Sequence, residues 1–285
     1  MRRSLRVAIV ISMLIGGRTA HAAAQSNAVV TPQDTTGTSD NDELLNPDRP
    51  GIADGSRVIR AGQVQIELGA QREYHVAGDA HSRVDLLPIL LRAGISERVE
   101  IRVESNAATR SRGTEADGST TDVSGFAPAS VGLKTQLFDS GGDHRRSLGM
   151  IVRVFPPSGS GEFRSRRYAG DLRVAGDWDF ASHMSVNPNL GVARADDGRG
   201  GSYSTLLGAL TLNYLPTPRL NPFIDLGYQS RESSGGGASV ILDSGIAYIV
   251  GSSLQLDVSA GRGVHGSTPP RPFVAAGVSV RTNAF

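Results

Sequence analysis

The chain has 285 residues, 39% of them hydrophobic, no cysteine and a formal net charge of +1 at pH 7. The lack of cysteine excludes a disulfide or thiolate–metal framework, and the near-balance of charge gives no basic footprint for nucleic acid. The one long apolar run is too short to cross a bilayer as a helix, which takes about 20 residues.

The chain starts MRRSLRVAIVISMLIGGRTAHAAAQ. Arg2, Arg3 and Arg6 precede an apolar core from Val7 to Gly16, and Ala20-His21-Ala22 or Ala22-Ala23-Ala24 offers a small-residue cleavage site. Residues 1–24 therefore read as a secretory signal peptide. Without its four arginines the rest has 25 basic against 28 acidic residues, so the positive balance belongs to the leader. Residues 25–60 read as a flexible periplasmic segment. Gln25 to Glu43 is polar, and Leu44 to Ile59 is turn-rich with scattered apolar residues, suited to lie at a barrel mouth or to tuck inside as a plug.

From residue 61 to 285 the pattern changes to period-two alternation. Val64, Ile66, Leu68 and Ala70 alternate with Gln65, Glu67, Gly69 and Gln71. Val84 to Ala93 is more continuously apolar, with Arg92 inward. Val99, Ile101 and Val103 alternate with Glu100, Arg102 and Glu104. Further runs follow around Leu133, Val152, Val174, Leu190, Leu210, Ile224, Ile246 and Val258. The twelfth, from Arg271, sets Val274, Ala276, Val278 and Val280 against Ala275, Gly277, Ser279 and Arg281, and ends the chain on Phe285. Twelve antiparallel strands of about 9–11 residues predict an all-β transmembrane barrel with both ends in the periplasm.

The connections agree. Ile95–Arg98, Asp139–His144, Ala181–His183, Pro216–Leu220 and Gly251–Ser253 are short, as periplasmic turns are. The alternate ones are mostly longer and rich in Gly, Ser and charge. The fifteen aromatic residues fall near strand ends or in loops. The expectation is two interfacial girdles, Phe155, Phe163, Tyr203 and Phe273 in the outer one and Trp178, Tyr214, Phe223 and Tyr248 in the periplasmic one among others.

With the strands placed, several short motifs stand out: Asp48-Arg49-Pro50-Gly51, the stretch Ala61 to Gly69, Leu91 to Arg102 with a glycine, tight turn and Glu-bearing strand, and Pro222 to Tyr228. On these the chain resembles the MetA-pathway of phenol degradation family of transporter-like outer-membrane barrels, over roughly Asn46 to Phe285. The resemblance implies a barrel of the bacterial outer membrane and uptake of small, hydrophobic or aromatic compounds. It implies no catalytic residue.

The inward face is expected to carry Glu67, Arg92, Glu100, Arg102, Glu104, Lys134, Arg153, Asp171, Arg173, Asp225, Asp243, Asp257 and Arg281. These charges are expected to pair across neighbouring strands, with Arg281 beside Asp257 and Glu67. Such a face either lines a path for solutes or forms a salt-bridge network that fills a narrow interior. His75, His81 and His265 lie in neighbouring outer loops, where a metal site competes with the commoner reading of ordinary surface histidines. No G-x-S-x-G elbow and no histidine at a strand centre point to catalysis. The Gly-rich outer loops lack a following Lys-Ser/Thr, so no phosphate site is expected. No enzyme activity, cofactor or metal is expected. The expected partners are outer-membrane lipid, the barrel-assembly machinery through the strand ending in Phe285, and a small-molecule substrate. The reading preferred is passive passage of small molecules across a Gram-negative outer membrane. The alternatives are a closed structural or surface-interaction barrel and a soluble periplasmic β-protein.

Overall fold

A computed structural model describes residues 44–283, apart from 78, 142–144, 199 and 267–271. The signal-peptide reading, residues 25–43, His144 and the terminal Phe285 fall outside the described residues. The strands are β1 (Gln63–Ala77), β2 (Ala80–Ser96), β3 (Val99–Thr114), β4 (Thr120–Gly125), β5 (Ser130–Asp139), β6 (Arg146–Phe155), β7 (Ala169–Ala181), β8 (Met184–Asp196), β9 (Ser202–Tyr214), β10 (Leu220–Gln229), β11 (Ser239–Ile249), β12 (Leu254–His265) and β13 (Phe273–Asn283).

Each strand pairs antiparallel with its neighbours, and β1 closes on β13 from Gln63 opposite Asn283 to Glu73 opposite Phe273. Thirteen segments fill twelve positions, because β4 and β5 share one. The outer end of β3 pairs β4 (Thr109 opposite Gly125), and its inner end pairs β5 (Val99 opposite Thr135). The connection from Ser111 to Ser124, expected from the sequence as an outer loop, is therefore largely a hairpin extension of the wall, and β1 and β2 stay paired out to Ala77 opposite Ala80. The even count, the closed ring and the short turns on one side are those of a bacterial outer-membrane barrel.

Burial runs opposite to that of a soluble protein. Leu190 is 72% exposed and Val131 55%, whereas Lys134, Glu67, Glu100 and Asp225 are 0% exposed. An apolar outer belt of this extent is stable only against lipid, which removes the soluble alternative and places the chain in the outer membrane.

Trp178, Phe180, Tyr214, Tyr248 and Phe138 face outward toward the periplasmic rim, and Tyr74, Phe126, Tyr168 and Tyr228 face outward at the other. The girdle expectation fails for five rings. Phe155, Phe163, Tyr203, Phe223 and Phe273 are at most 7% exposed. Phe155, Tyr203, Phe223 and Phe273 occupy inward strand positions, where their area packs the lumen instead of meeting headgroups.

Candidate functional site: a charged lumen filled by a chain loop

The pleat sends alternate residues inward, so a sequence that alternates charge with aliphatic residues builds a charged interior. Two unlike walls result. Arg92 on β2, Arg102 on β3, Lys134 on β5, Arg153 on β6 and Arg173 on β7 cluster on one side, interleaved with Glu100, Glu104 and Asp171. Across the lumen stand Asp225 on β10, Asp243 on β11 and Asp257 on β12. All are at most 8% exposed.

Residues 44–60 lie between these walls. They are not a free lead-in: Leu45, Asp48, Arg49, Ala53, Asp54, Ser56 and Ile59 are buried. The segment has no regular structure, so its backbone groups need partners from the wall. The donors are placed in succession around the ring. Asp48 N and Arg49 N donate to the Glu67 carboxylate at 3.1 and 2.9 Å, and Ile52 N to Asp225 at 2.8 Å. Asp54 N donates to Asn189 Oδ1 at 2.7 Å, Ser56 N to Asp177 at 3.0 Å and Ile59 N to Glu100 at 2.9 Å. In return Arg92 donates to the carbonyls of Asn46 and Arg57, Lys134 to Arg57 O, Gln255 to Arg49 O and Asn189 to Asp54 O.

The loop's side chains complement the walls. Asp48 accepts from Arg102 and from Lys134 Nζ at 2.9 Å, with Arg92 3.6 Å away. Asp54 bridges Arg102 and Arg173, each at 3.1 Å. Arg49 points the other way and meets Asp257 at 3.0 Å. Its guanidinium lies over Gly69 and Gly277, where any Cβ would collide with it. Both ends of the loop lie by the periplasmic ends of β1 and β2. Asn46 bonds Arg92, and Gly62 N donates to Gly94 O at 3.1 Å. Gly62 makes that turn at φ 80°, a conformation that glycine adopts without steric cost.

The expected cross-strand pairs form in part. Arg92 meets Glu100 at 2.8 Å and Glu67 at 3.3 Å. Arg153 joins Glu104 and Asp171, each at 2.6 Å, in the outer half. Arg281 differs from expectation. It lies opposite Gln65, at the rim, and donates to Ser252 O at 3.2 Å, while Asp257 is taken by Arg49 and Glu67 by Arg92 and the loop. Sequence reading did not place Asp48, Arg49 and Asp54 in the lumen, although the Asp48-Arg49-Pro50-Gly51 motif stood out; Asp177 and Asn189 lie on the inward face that strand alternation gives, and their role as partners of the loop is new.

The outer side is narrowed as well. The connection from Phe155 to Ala169 turns inward, with Ser165 Oγ and the backbone of Arg166 and Arg167 donating to Asp196. Tyr203 Oη donates to Glu232 O at 3.0 Å. Beside the loop's apex remains a pocket of about 50 Å³, lined among others by Ile52, Leu207, Ala209, Ile241, Asn189 and Gln229. His75 contacts Glu73 at 3.1 Å, and among the described residues no three of His, Cys, Asp or Glu form a metal cluster.

Among solved structures the fold is similar to an outer-membrane channel from Pseudomonas putida F1, at 13% identity and TM-score 0.62, over 80% of this chain and 98% of that one. It is also similar to the transport unit of the autotransporter AIDA-I from Escherichia coli, at 10% identity and TM-score 0.50, over 79% and 91%. No curated protein sequence matches the chain. The family model described as "Putative MetA-pathway of phenol degradation" matches residues 47–282, from the lumen loop to the closing strand, and the chain belongs to that family.

Proposed function

We propose that the protein is a passive outer-membrane channel for small molecules, held shut by residues 44–60 and opened when that loop withdraws. The observation that carries this is the polar bonding between loop and wall. A barrel built only to be solid gains more from an apolar fill, since a buried ion pair is often no better than well-packed hydrophobic residues. Here the wall is lined by groups that water solvates readily once the loop leaves. The family description and the small pocket beside Ile52, with aliphatic and amide lining, support a small amphipathic solute of the phenolic kind.

The loop offers its own test. Ser56 Oγ and Ser147 Oγ lie 2.5 Å apart, and the chain has no cysteine. A Ser56→Cys/Ser147→Cys variant can form a single disulfide that ties loop to wall. In a planar bilayer the reduced variant is expected to conduct and the oxidised one to be silent. Silence of both, and of the native protein, from barrels shown to be folded by heat-modifiable gel mobility, would favour the closed structural barrel instead. That second reading rests on how completely Asp48 and Asp54 are paired.

A further inference from the structure

Asp225 and Asp243 stand directly opposite each other on β10 and β11, and Thr211 stands opposite Asp225 on β9. All three point inward and are at most 2% exposed. Asp225 Oδ2 accepts from Ile52 N at 2.8 Å. Asp225 Oδ1, both carboxylate oxygens of Asp243 and Thr211 Oγ1 complete no hydrogen bond among the described residues. None of the described arginines, lysines or histidines pairs with either carboxylate, unlike Asp48, Asp54, Asp171 and Asp257. Aromatic rings pack around the pair, Phe273 against Gly261 beside Asp243 and Phe223 against Gly245, and Gly51 of the loop closes on Asp225.

Two carboxylates on adjacent strands, with Cβ atoms about 4.5–5.5 Å apart in such pairs, carry a charge that a dry site does not tolerate uncompensated. The wall supplies cations elsewhere in the lumen and leaves this place without one. We infer that Asp225, Asp243 and Thr211 bind a divalent cation, calcium. The donors are all oxygen, which suits a hard ion, and the two carboxylates balance its charge. Calcium accepts an irregular set of six to eight oxygens, including bidentate carboxylates, whereas magnesium demands near-ideal octahedral geometry. The buried Thr211 hydroxyl, beside Asp225 and with no partner outside this group, is the third protein ligand. The site does not depend on whether solutes pass through the barrel.

The test is calorimetric titration of the refolded, chelator-washed full chain with CaCl2, and with MgCl2 in parallel. One calcium per barrel is expected, bound at least tenfold more weakly by Asp243→Asn. Calcium should raise the temperature of the heat-modifiable gel transition in the native protein only. Should Asp243→Asn fail to fold, Thr211→Val keeps both carboxylates and should still weaken binding. Absence of saturable uptake up to about 10 mM, tenfold above the weakest extracellular calcium modules, overturns the site and leaves a carboxyl pair sharing a proton. Unchanged affinity in folded Asp243→Asn or Thr211→Val overturns it too, and equal affinity for magnesium overturns the choice of calcium.

Discussion

Asp48 and Lys134 lie 86 positions apart in the chain, and the Lys134 ammonium sits 2.9 and 3.0 Å from the two Asp48 carboxylate oxygens inside the barrel. Arg102 reaches the same carboxylate. Asp48→Ala strips these cations of a buried acceptor, a loss of about 3–5 kcal/mol for a broken buried pair. The strand ladders do not depend on Asp48, so the loop should release before the wall unfolds. Trypsin is expected to cut after Arg57 much faster in the variant, with the barrel band intact. Equal resistance in both proteins would show that Asp48 does not anchor the loop.

In the outer half, Arg153 holds Glu104 and Asp171 together with all three side chains at most 2% exposed. Arg153→Met should cost about 3–5 kcal/mol, because Glu104 and Asp171 lose their shared cation and Asp171 keeps only Arg173 at 3.4 Å. The urea midpoint of the refolded protein reads this out. The Arg110–Asp122 pair on the β3–β4 hairpin is nearly half exposed on both sides, so Asp122→Asn should leave the midpoint unmoved. A midpoint equally insensitive to both changes would contradict the importance given to burial.

Leu210 faces lipid at 43% exposure, and Thr211 faces the lumen at 0%. Leu210→Arg should impair assembly, by roughly 2–4 kcal/mol for a charge near the midplane. Thr211→Arg adds volume to a filled interior, at roughly 1–3 kcal/mol, yet its guanidinium arrives beside Asp225 and Asp243, so it should assemble and bind no calcium. The yield of heat-modifiable barrel compares them, and a reversed order would invalidate the inside–outside assignment.

Trp178 is the only tryptophan in the chain, which makes it a native depth gauge. It faces outward at 48% exposure near the periplasmic rim, with Arg146 5.6 Å above its ring and Phe180 6.1 Å away. Indole rings settle at the headgroup level. Lipids brominated near the headgroup should quench its fluorescence more strongly than lipids brominated near the chain ends. The opposite ranking would move β7 along the membrane normal.

Those same strands show how far the sequence could be read. Val64 to Gln71 or Leu148 to Arg153 alternate so regularly that both faces and the strand follow from local pattern. The inward charges followed with them, because parity alone decides their side. The loop was different. Asp48, Asp54 and Ser56 owe their places to partners 48 to 121 positions away, and no periodicity encodes such contacts. Phe223 and Phe273 were assigned to the girdles because they sit near strand ends. Parity placed them inward, where Gly245 and Gly261 leave room for their rings.

The path of residues 44–60 has a topological consequence. Asn46 and Arg60 both sit beside β2, while the middle of the segment reaches Asp225 and Asn189 across the lumen. The described chain thus goes in and comes back by the same opening and never threads the ring from end to end. Closing the β1–β13 seam and packing the interior are therefore separable in time. A water-filled cylinder can form first and receive its loop afterwards, and the loop can leave again without parting any pair of strands.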